Sequence, residues 1–391
     1  MKNNRTFLEK LLDGAEVEWK PLGKVTDIKT GQPVSKNIIA QNPGIYPVIN
    51  SGREPLGFIN EWNTENDPIG ITTRGAGVGS ITWQEGKYFR GNLNYSVTIK
   101  SEYELNVRFL YHVLLYFQKE IHNLCSFTGI PALNASELKK LEIPIPPLPV
   151  QTEIVKILDA LTALTSELTS ELTLRRKQYE YYRDKMLSEE ELEKVGFEWK
   201  CLKDICDYVD FRGKTPKKTE SGIFLVTAKN IKKGFIDYNS SKEFVSESNY
   251  IEIMRRGLPQ VGDVLITTEA PCGNVAQIDK EDIALAQRVI KYRSSNANIL
   301  DNTFLKFTLL SKDFQTSLTK LSTGGTVKGI KGSTLHKMKI KIPPIDEQKH
   351  IISILEKFET LTNSITEGLP LAIEQNQKRY EYYRELLLNF S

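Results

Sequence analysis

The chain has 391 residues, 40% of them hydrophobic and 26% charged, with 52 Lys and Arg against 49 Asp and Glu for a net charge of +3. That composition is globular and excludes a disordered chain, and no stretch approaches the roughly 20 consecutive apolar residues of a membrane span. Four cysteines without a CxxC pair and four scattered histidines exclude a sequence-local metal site; the length predicts two domains with connecting elements.

Residues 1–12 carry positive charge but no sustained apolar run, so a cytoplasmic chain with reduced, mostly buried thiols is expected. In the first module, β-branched and aromatic residues predict strands at 46–49, 69–73, 81–83 and 95–99, and a helix at 109–116. Gly75-Ala76-Gly77-Val78-Gly79 follows a strand as phosphate-cradling loops do. Such a loop must open a helix, however, and Ser80-Ile81-Thr82-Trp83 continues as strand, so a tight hairpin is expected instead.

Pro146, Pro147 and Pro149 end a strand and pre-set the backbone for a helix start, with a proline-rich peptide ligand as the competing reading. From there Ile154, Leu158, Leu161, Thr165, Leu168, Leu172, Arg175, Tyr179, Tyr182 and Met186 alternate steps of four and three, a coiled-coil seam. Residues 150–187 then make a rod of about 57 Å.

In the second module strands are predicted at 223–227, 263–268 and 286–292, and a helix at 304–310. A second seam follows at Ile351, Leu355, Phe358, Thr362, Ile365, Leu369, Ile373, Asn376, Tyr380, Tyr383 and Leu387. Two successive steps of four, from Ile365 to Leu369 to Ile373, form a stutter, and Pro370 marks a kink or break there. Two matching heptad helices favour an antiparallel pair, against the alternative that each packs on its own domain.

The second half repeats the first. Glu18-Trp19-Lys20-x-Leu22 returns at Glu198, offset by 180, and Ile71-Thr72-Thr73 returns at Ile266, offset by 195. Ile145-Pro146-Pro147 with Gln151, Ile154, Ile157 and Leu158 returns at Ile342, offset by 197, and Tyr179-Glu180-Tyr181-Tyr182-Arg183 returns letter for letter at Tyr380, offset by 201. Two long copies signify a duplicated domain rather than a solenoid. The predicted fold class is α/β (mixed α+β): globular domains at 1–148 and 189–344, helical spacers at 149–188 and 345–391. Phe7, Leu8, Leu11 and Leu12 precede Trp19 as residues 187–195 precede Trp199, so the duplication is circular and pseudo-twofold, with the two termini expected close together.

No GxxxxGK[ST], HExxH or GxSxG pattern occurs, and His112, His122, His336 and His350 lack motif partners, so no catalytic site is predicted, although one assembled from distant residues stays open. The loops instead carry nucleic-acid chemistry. Residues 211–233 hold seven Lys or Arg against one Glu, and 320–341 hold six lysines and no acid. Arg212, Lys214, Thr215, Lys217 and Lys218 form the densest cluster, with Gln32, Lys36 and Asn37 as its weaker counterpart in the first module. Arg74, Arg90, Asn92, Asn94, Lys229, Asn230, Gln287, Arg288, Thr323, Lys328 and Lys331 are further candidates. Cations neutralise phosphates, Arg and Lys bridge guanine O6 and N7, and Asn or Gln bridge adenine; an ordinary solvated surface is the competing reading for each.

With the duplicated IPP-x3-Q-x2-I-x2-[IL]L segment, the RKQYEYYRDKML and QKRYEYYRELLL ends and the EWKPLGKV and EWKCLKDI starts, the chain resembles HsdS, the specificity-subunit family of type I restriction-modification enzymes. The resemblance implies two target-recognition domains reading a bipartite site on double-stranded DNA, an antiparallel coiled coil, and no catalysis by this chain. It implies partners: two copies of the methyltransferase subunit HsdM and the restriction subunit HsdR, with no membrane. S-adenosylmethionine, ATP and magnesium would belong to those partners, and no cofactor to this chain. A targeting part of a fused restriction enzyme and a coiled-coil assembly adaptor remain the alternatives.

Overall fold

A computed structural model of the chain describes residues 7–52, 54–211, 216–325, 328–364 and 367–390. The chain divides into two compact units, Met1–Leu168 with Ala372–Ser391, and Thr169–Leu371. Unit 1 runs α1 (Phe7–Leu12), β1 (Glu18–Pro21), α2 (Leu22–Val25), β2 (Thr26–Thr30), α3 (Lys36–Gln41), β3 (Pro43–Ile49), β4 (Phe58–Ile59), β5 (Thr64–Glu65), β6 (Ile69–Thr72), β7 (Ile81–Trp83), β8 (Lys87–Arg90), β9 (Asn94–Ile99), α4 (Val107–Tyr116), α5 (Gln118–Asn123), α6 (Ala135–Leu138), β10 (Glu142–Ile145) and the first half of α7 (Leu148–Met186).

Its main sheet is antiparallel in the order β2-β9-β6-β7; a smaller sheet, β4-β3-β8-β5, contains the parallel pair β3 and β8, and β1 pairs with β10 as a two-stranded ribbon. Gly75 to Gly79 lies in the connection between the antiparallel strands β6 and β7, which makes it a hairpin loop. The strands are short, and packing supplies their stability. Ile69, Ile71 and Val97 lose all solvent contact in one core with Phe109, Leu110, Val113 and Leu114 of α4, each buried side chain contributing about 1.5–3 kcal/mol. Helix α4 starts where Asn106 Oδ1 accepts from the Arg108 and Phe109 amides at 2.8 and 3.1 Å.

Unit 2 takes the second half of α7, then α8 (Glu189–Glu193), β11 (Glu198–Cys201), α9 (Leu202–Ile205), β12 (Cys206–Asp210), β13 (Lys218–Thr219), β14 (Ile223–Val226), β15 (Phe244–Val245), α10 (Glu247–Met254), β16 (Val264–Thr268), β17 (Cys272–Gln277), β18 (Ile283–Leu285), β19 (Val289–Ser294), α11 (Asn302–Leu310), α12 (Lys312–Leu321), α13 (Gly332–Leu335), β20 (Lys339–Ile342) and α14 (Ile345–Asn363). The main sheet recurs as β12-β19-β16-β17 and the ribbon as β11 with β20, while the smaller sheet keeps one parallel pair, β14 and β18, in a different order, β13-β15-β14-β18. Of residues 286–292, expected as one strand, only 289–292 are strand: β18 ends at Leu285, residues 286–288 form a turn, and β19 begins at Val289. Arg288, with φ at +68°, turns the chain between them.

The duplicated glutamine has a structural task in both units. Gln151 Oε1 accepts from the Asn106 amide at 2.8 Å while its Nε2 donates to the Glu104 and Pro146 carbonyls at 3.1 and 2.8 Å. Gln348 does the same with the Asp301 amide and the Ile299 and Pro343 carbonyls, at 3.0, 2.8 and 2.9 Å. Both side chains have no exposed surface. Each locks the N-cap of one helix, α4 or α11, to the start of the spacer helix that carries the glutamine, α7 or α14.

Along α7 the seam residues from Ile154 to Tyr179 all lose solvent, Ile154 and Leu158 fully buried and Leu161, Leu168 and Leu172 half-buried, as the four-three spacing predicts, whereas Tyr182, the next in the series, is exposed. In unit 2 the side chain of Arg176 reaches the Thr362 carbonyl, Tyr179 the Glu359 carboxylate, and Tyr182 stacks on Phe358 with ring centroids 5.6 Å apart. Later residues of α7 meet earlier residues of α14, so the two run antiparallel, with Ile351 and Leu355 buried beneath them. The second spacer is divided: α14 ends at Asn363 and α15 (Gly368–Leu388) restarts with Pro370 in its first turn. The stutter expected there is a break, and Ile365 lies outside the described residues. Within unit 1, Asn376 of α15 donates to the Leu161 carbonyl and Thr165 Oγ1, both at 2.7 Å, while Tyr380 packs against the core and Tyr383 is about one-third exposed. Leu8 of α1 shares unit 1 with the buried Leu387 and Leu388 of α15, so segments from both ends of the chain close one unit, as the circular repeat predicts.

His112 is the one buried histidine in the unit 1 core, its Nε2 2.8 Å from the Asp159 carboxylate and its Nδ1 without a partner. Burial lowers its pKa below 6.5, although Asp159 works in the opposite direction. Folding therefore favours the neutral ring. Its contribution is complete above pH 6.5 and is lost as the pH falls, because the unfolded chain then binds the proton more readily. The corresponding residue of unit 2 is Phe307. A His112→Phe variant is expected to fold and to flatten the loss of stability between about pH 6.5 and 5, read from urea midpoints; an unchanged pH dependence would show that other groups carry it.

Candidate nucleic-acid interface

Antiparallel register places the functional loops. In unit 1, Thr30 faces Tyr95, Thr72 faces Asn94 and Ile71 faces Ile81, so the end of β2, the start of β9 and the β6–β7 turn lie at one end of the main sheet. The segment 126–132 is stitched to that end: Ser126 and Ala132 exchange backbone hydrogen bonds, the Gly75 amide donates to the Pro131 carbonyl, and the Leu133 amide to the Thr73 carbonyl. Gln32 joins through its amide, which donates to the Arg90 carbonyl at 2.9 Å. Gly31 beside it is obligatory, since a Cβ there would lie 2.2 Å from the same carbonyl oxygen.

Unit 2 repeats the main bonds of this stitching. Thr323 and Gly329 exchange hydrogen bonds as Ser126 and Ala132 do, the Ile330 amide donates to the Thr268 carbonyl as Leu133 does to Thr73, and the Thr268 amide donates to the Arg288 carbonyl as Thr73 does to Leu93. The end of β12, the start of β19 and the β16–β17 turn meet at this sheet end. What the shared backbone presents differs. Unit 1 exposes Gln32, Arg74 and Asn92 there, with Phe127 and Ile130 standing in solvent on the stitched segment. Unit 2 exposes Arg288, Thr323, Lys328 and Lys331, with Gln287 half-buried beside them. A rigid frame carrying exchangeable polar and cationic side chains suits base-edge and phosphate recognition.

The model of the type I restriction modification DNA specificity domain matches residues 15–174 and again 194–375. The chain belongs to the type I restriction-modification DNA specificity family. A putative type I restriction enzyme specificity subunit of Haemophilus influenzae is 40% identical over the full length of both chains. The EcoR124I/EcoR124II specificity subunit of Escherichia coli is 34% identical over 98% of this chain and 97% of its own. The fold is also that of a type I system S subunit from M. genitalium, with a TM-score of 0.62 at 19% identity over 97% of this chain and 98% of that one.

Within this specificity subunit, three of the residues expected to contact DNA are structural. Arg90 is enclosed: Nη1 donates to the Ile69 carbonyl, Asn94 Oδ1 and the Tyr95 carbonyl at 3.1, 2.7 and 3.0 Å, and Nη2 donates to the Asp67 carbonyl at 2.7 Å and to the Tyr88 hydroxyl. Asn94 is buried as its acceptor. Asn230, also buried, accepts from the Thr227 amide and hydroxyl and donates to the Asp237 and Ser241 carbonyls, which closes its own loop and leaves Lys229 exposed at the turn.

Arg212, Lys214 and Thr215 lie outside the described residues, while Lys217 is adjacent to β13 and Lys218, within it, is paired with Glu243 at 2.8 Å. Lys36 and Asn37 are exposed in the first turn of α3, capped by Ser35. Sequence reasoning passed over Glu269, whose carboxylate lies 3.5 Å from Arg288 Nε; its position in the repeat, opposite Arg74, was the available signal. Among the described residues no cluster of three metal-ligating side chains occurs, and no helix is long and apolar enough to cross a membrane. Cys125 and Cys206 are buried thiols and Cys201 and Cys272 are half-buried ones.

Proposed function

We propose that this chain is the non-catalytic DNA reader of a cytoplasmic methyltransferase and endonuclease complex. Each unit reads one half of a bipartite duplex target, with the helical segments setting the number of unread base pairs between the halves. Two copies of HsdM and the restriction subunit HsdR are the partners, and S-adenosylmethionine, ATP and magnesium belong to those partners and not to this chain. The observation that carries the reading is the pair of sheet ends with shared backbone stitching and different exposed side chains. A duplicated frame with divergent contacts suits two different half-sites.

The test is methylation by the chain reconstituted with HsdM, read by single-molecule sequencing of the modified DNA. The expected motif is two short blocks separated by a fixed gap, with binding that falls steeply as salt rises, because phosphate contacts release counterions. A contiguous motif would overturn the division of labour between units, and methylation that survives inactivation of HsdM would overturn the non-catalytic assignment.

A further inference from the structure

The two sheet ends place their charges at different points of the shared backbone. Arg74 bridges Ala132 in unit 1 as Glu269 bridges Gly329 in unit 2, and Leu93 bonds Thr73 as Arg288 bonds Thr268. The arginine of unit 1 therefore stands on the loop after β6, where unit 2 has a carboxylate. The arginine of unit 2 stands before β19, where unit 1 has Leu93.

Arg288 is held in an unusual way. Its backbone is left-handed at φ +68°, a conformation that side-chain-bearing residues adopt at a cost. Its Nε is 3.5 Å from the Glu269 carboxylate, and the two side chains are 54% and 46% exposed. An ion pair this open to water returns little stability, so stability does not account for the arrangement. What the arrangement achieves is aim: the strained backbone directs the side chain out of the sheet end, and the carboxylate limits its rotamers. A planar guanidinium with a prepared orientation is the group that bridges O6 and N7 of guanine.

We infer that Arg288 reads a guanine in the half-site of unit 2, with Glu269 as its positioning residue, and that Arg74 is the corresponding reader in unit 1 from the opposite loop. The inference rests on the DNA-reading function proposed above. In the complex with HsdM, methylation of a plasmid library randomised over both half-sites measures it. Arg288→Gly, which suits the left-handed backbone and protects the fold, is expected to lower preference for guanine at one position by about tenfold to a hundredfold. The half-site of unit 1 should be read unchanged. Arg74→Ala should relax the other half-site alone. Glu269→Gln should reduce discrimination at the Arg288 position while total binding of random duplex holds or rises, a split that a merely structural carboxylate would not produce; Glu269→Asp should restore part of it.

Equal weakening on every sequence, with a salt slope lower by about one, would make Arg288 a phosphate contact and overturn the inference. An unaltered motif with Arg288→Gly would overturn it too. A wild-type complex that binds no duplex DNA would instead defeat the reading function itself.

Discussion

Replacing Arg90 by methionine is expected to destabilise unit 1 by about 3 kcal/mol or more, rather than to weaken DNA binding alone. The residue is 3% exposed and its two terminal nitrogens serve the Ile69, Tyr95 and Asp67 carbonyls, Asn94 Oδ1 and the Tyr88 hydroxyl, with the Asp67 carboxylate 3.7 Å away. Methionine fills the volume but strands these acceptors in the interior, and each buried group left unpaired costs about 1–3 kcal/mol before relaxation. Lysine should rescue poorly, because a point charge cannot reproduce the planar fork. Urea denaturation of the full chain measures the effect. A wild-type midpoint combined with weakened DNA binding would return Arg90 to the interface.

The second large effect belongs to the repeated glutamines. Gln151→Leu or Gln348→Leu is expected to cost about 3 kcal/mol, since each side chain satisfies one amide and two carbonyls that leucine leaves unpaired. Because each latch lies within its own unit, the losses should add in the double variant to within about 0.5 kcal/mol. Glutamate is an informative replacement: it keeps the acceptor but turns a carboxylate toward two carbonyls. Gln348→Glu should therefore be at least as damaging at neutral pH, and less so once acid protonates it and restores a donor. A Gln348→Leu protein with an unaltered urea midpoint would mean that the repeat of this residue has no structural cause.

Much of the fold was legible because it is periodic or repeated. The seam from Ile154 to Tyr179 follows from a spacing of four and three, and burial along α7 follows the same positions. The break between Asn363 and Gly368 was marked by two successive steps of four and by Pro370. The loops were legible in part. Arg74 and Arg288 do stand exposed at sheet ends, but Arg90, Asn94 and Asn230 carry the same chemistry and point inward. Composition treats an arginine on β8 and an arginine on a turn alike.

By itself, then, the sequence determined the duplication, its circular order, the helical seams and the family, because each is carried by residue identity at fixed spacing along one chain. Only the tertiary structure decided which polar residues are partners of the fold and which are offered to a ligand. That decision depends on pairings across distance, such as Arg90 with the Asp67 carbonyl 23 residues away and Glu269 with Arg288. Burial raises the cost of an unpaired polar group far above its cost in water, so enclosure, which no local pattern records, assigns the role.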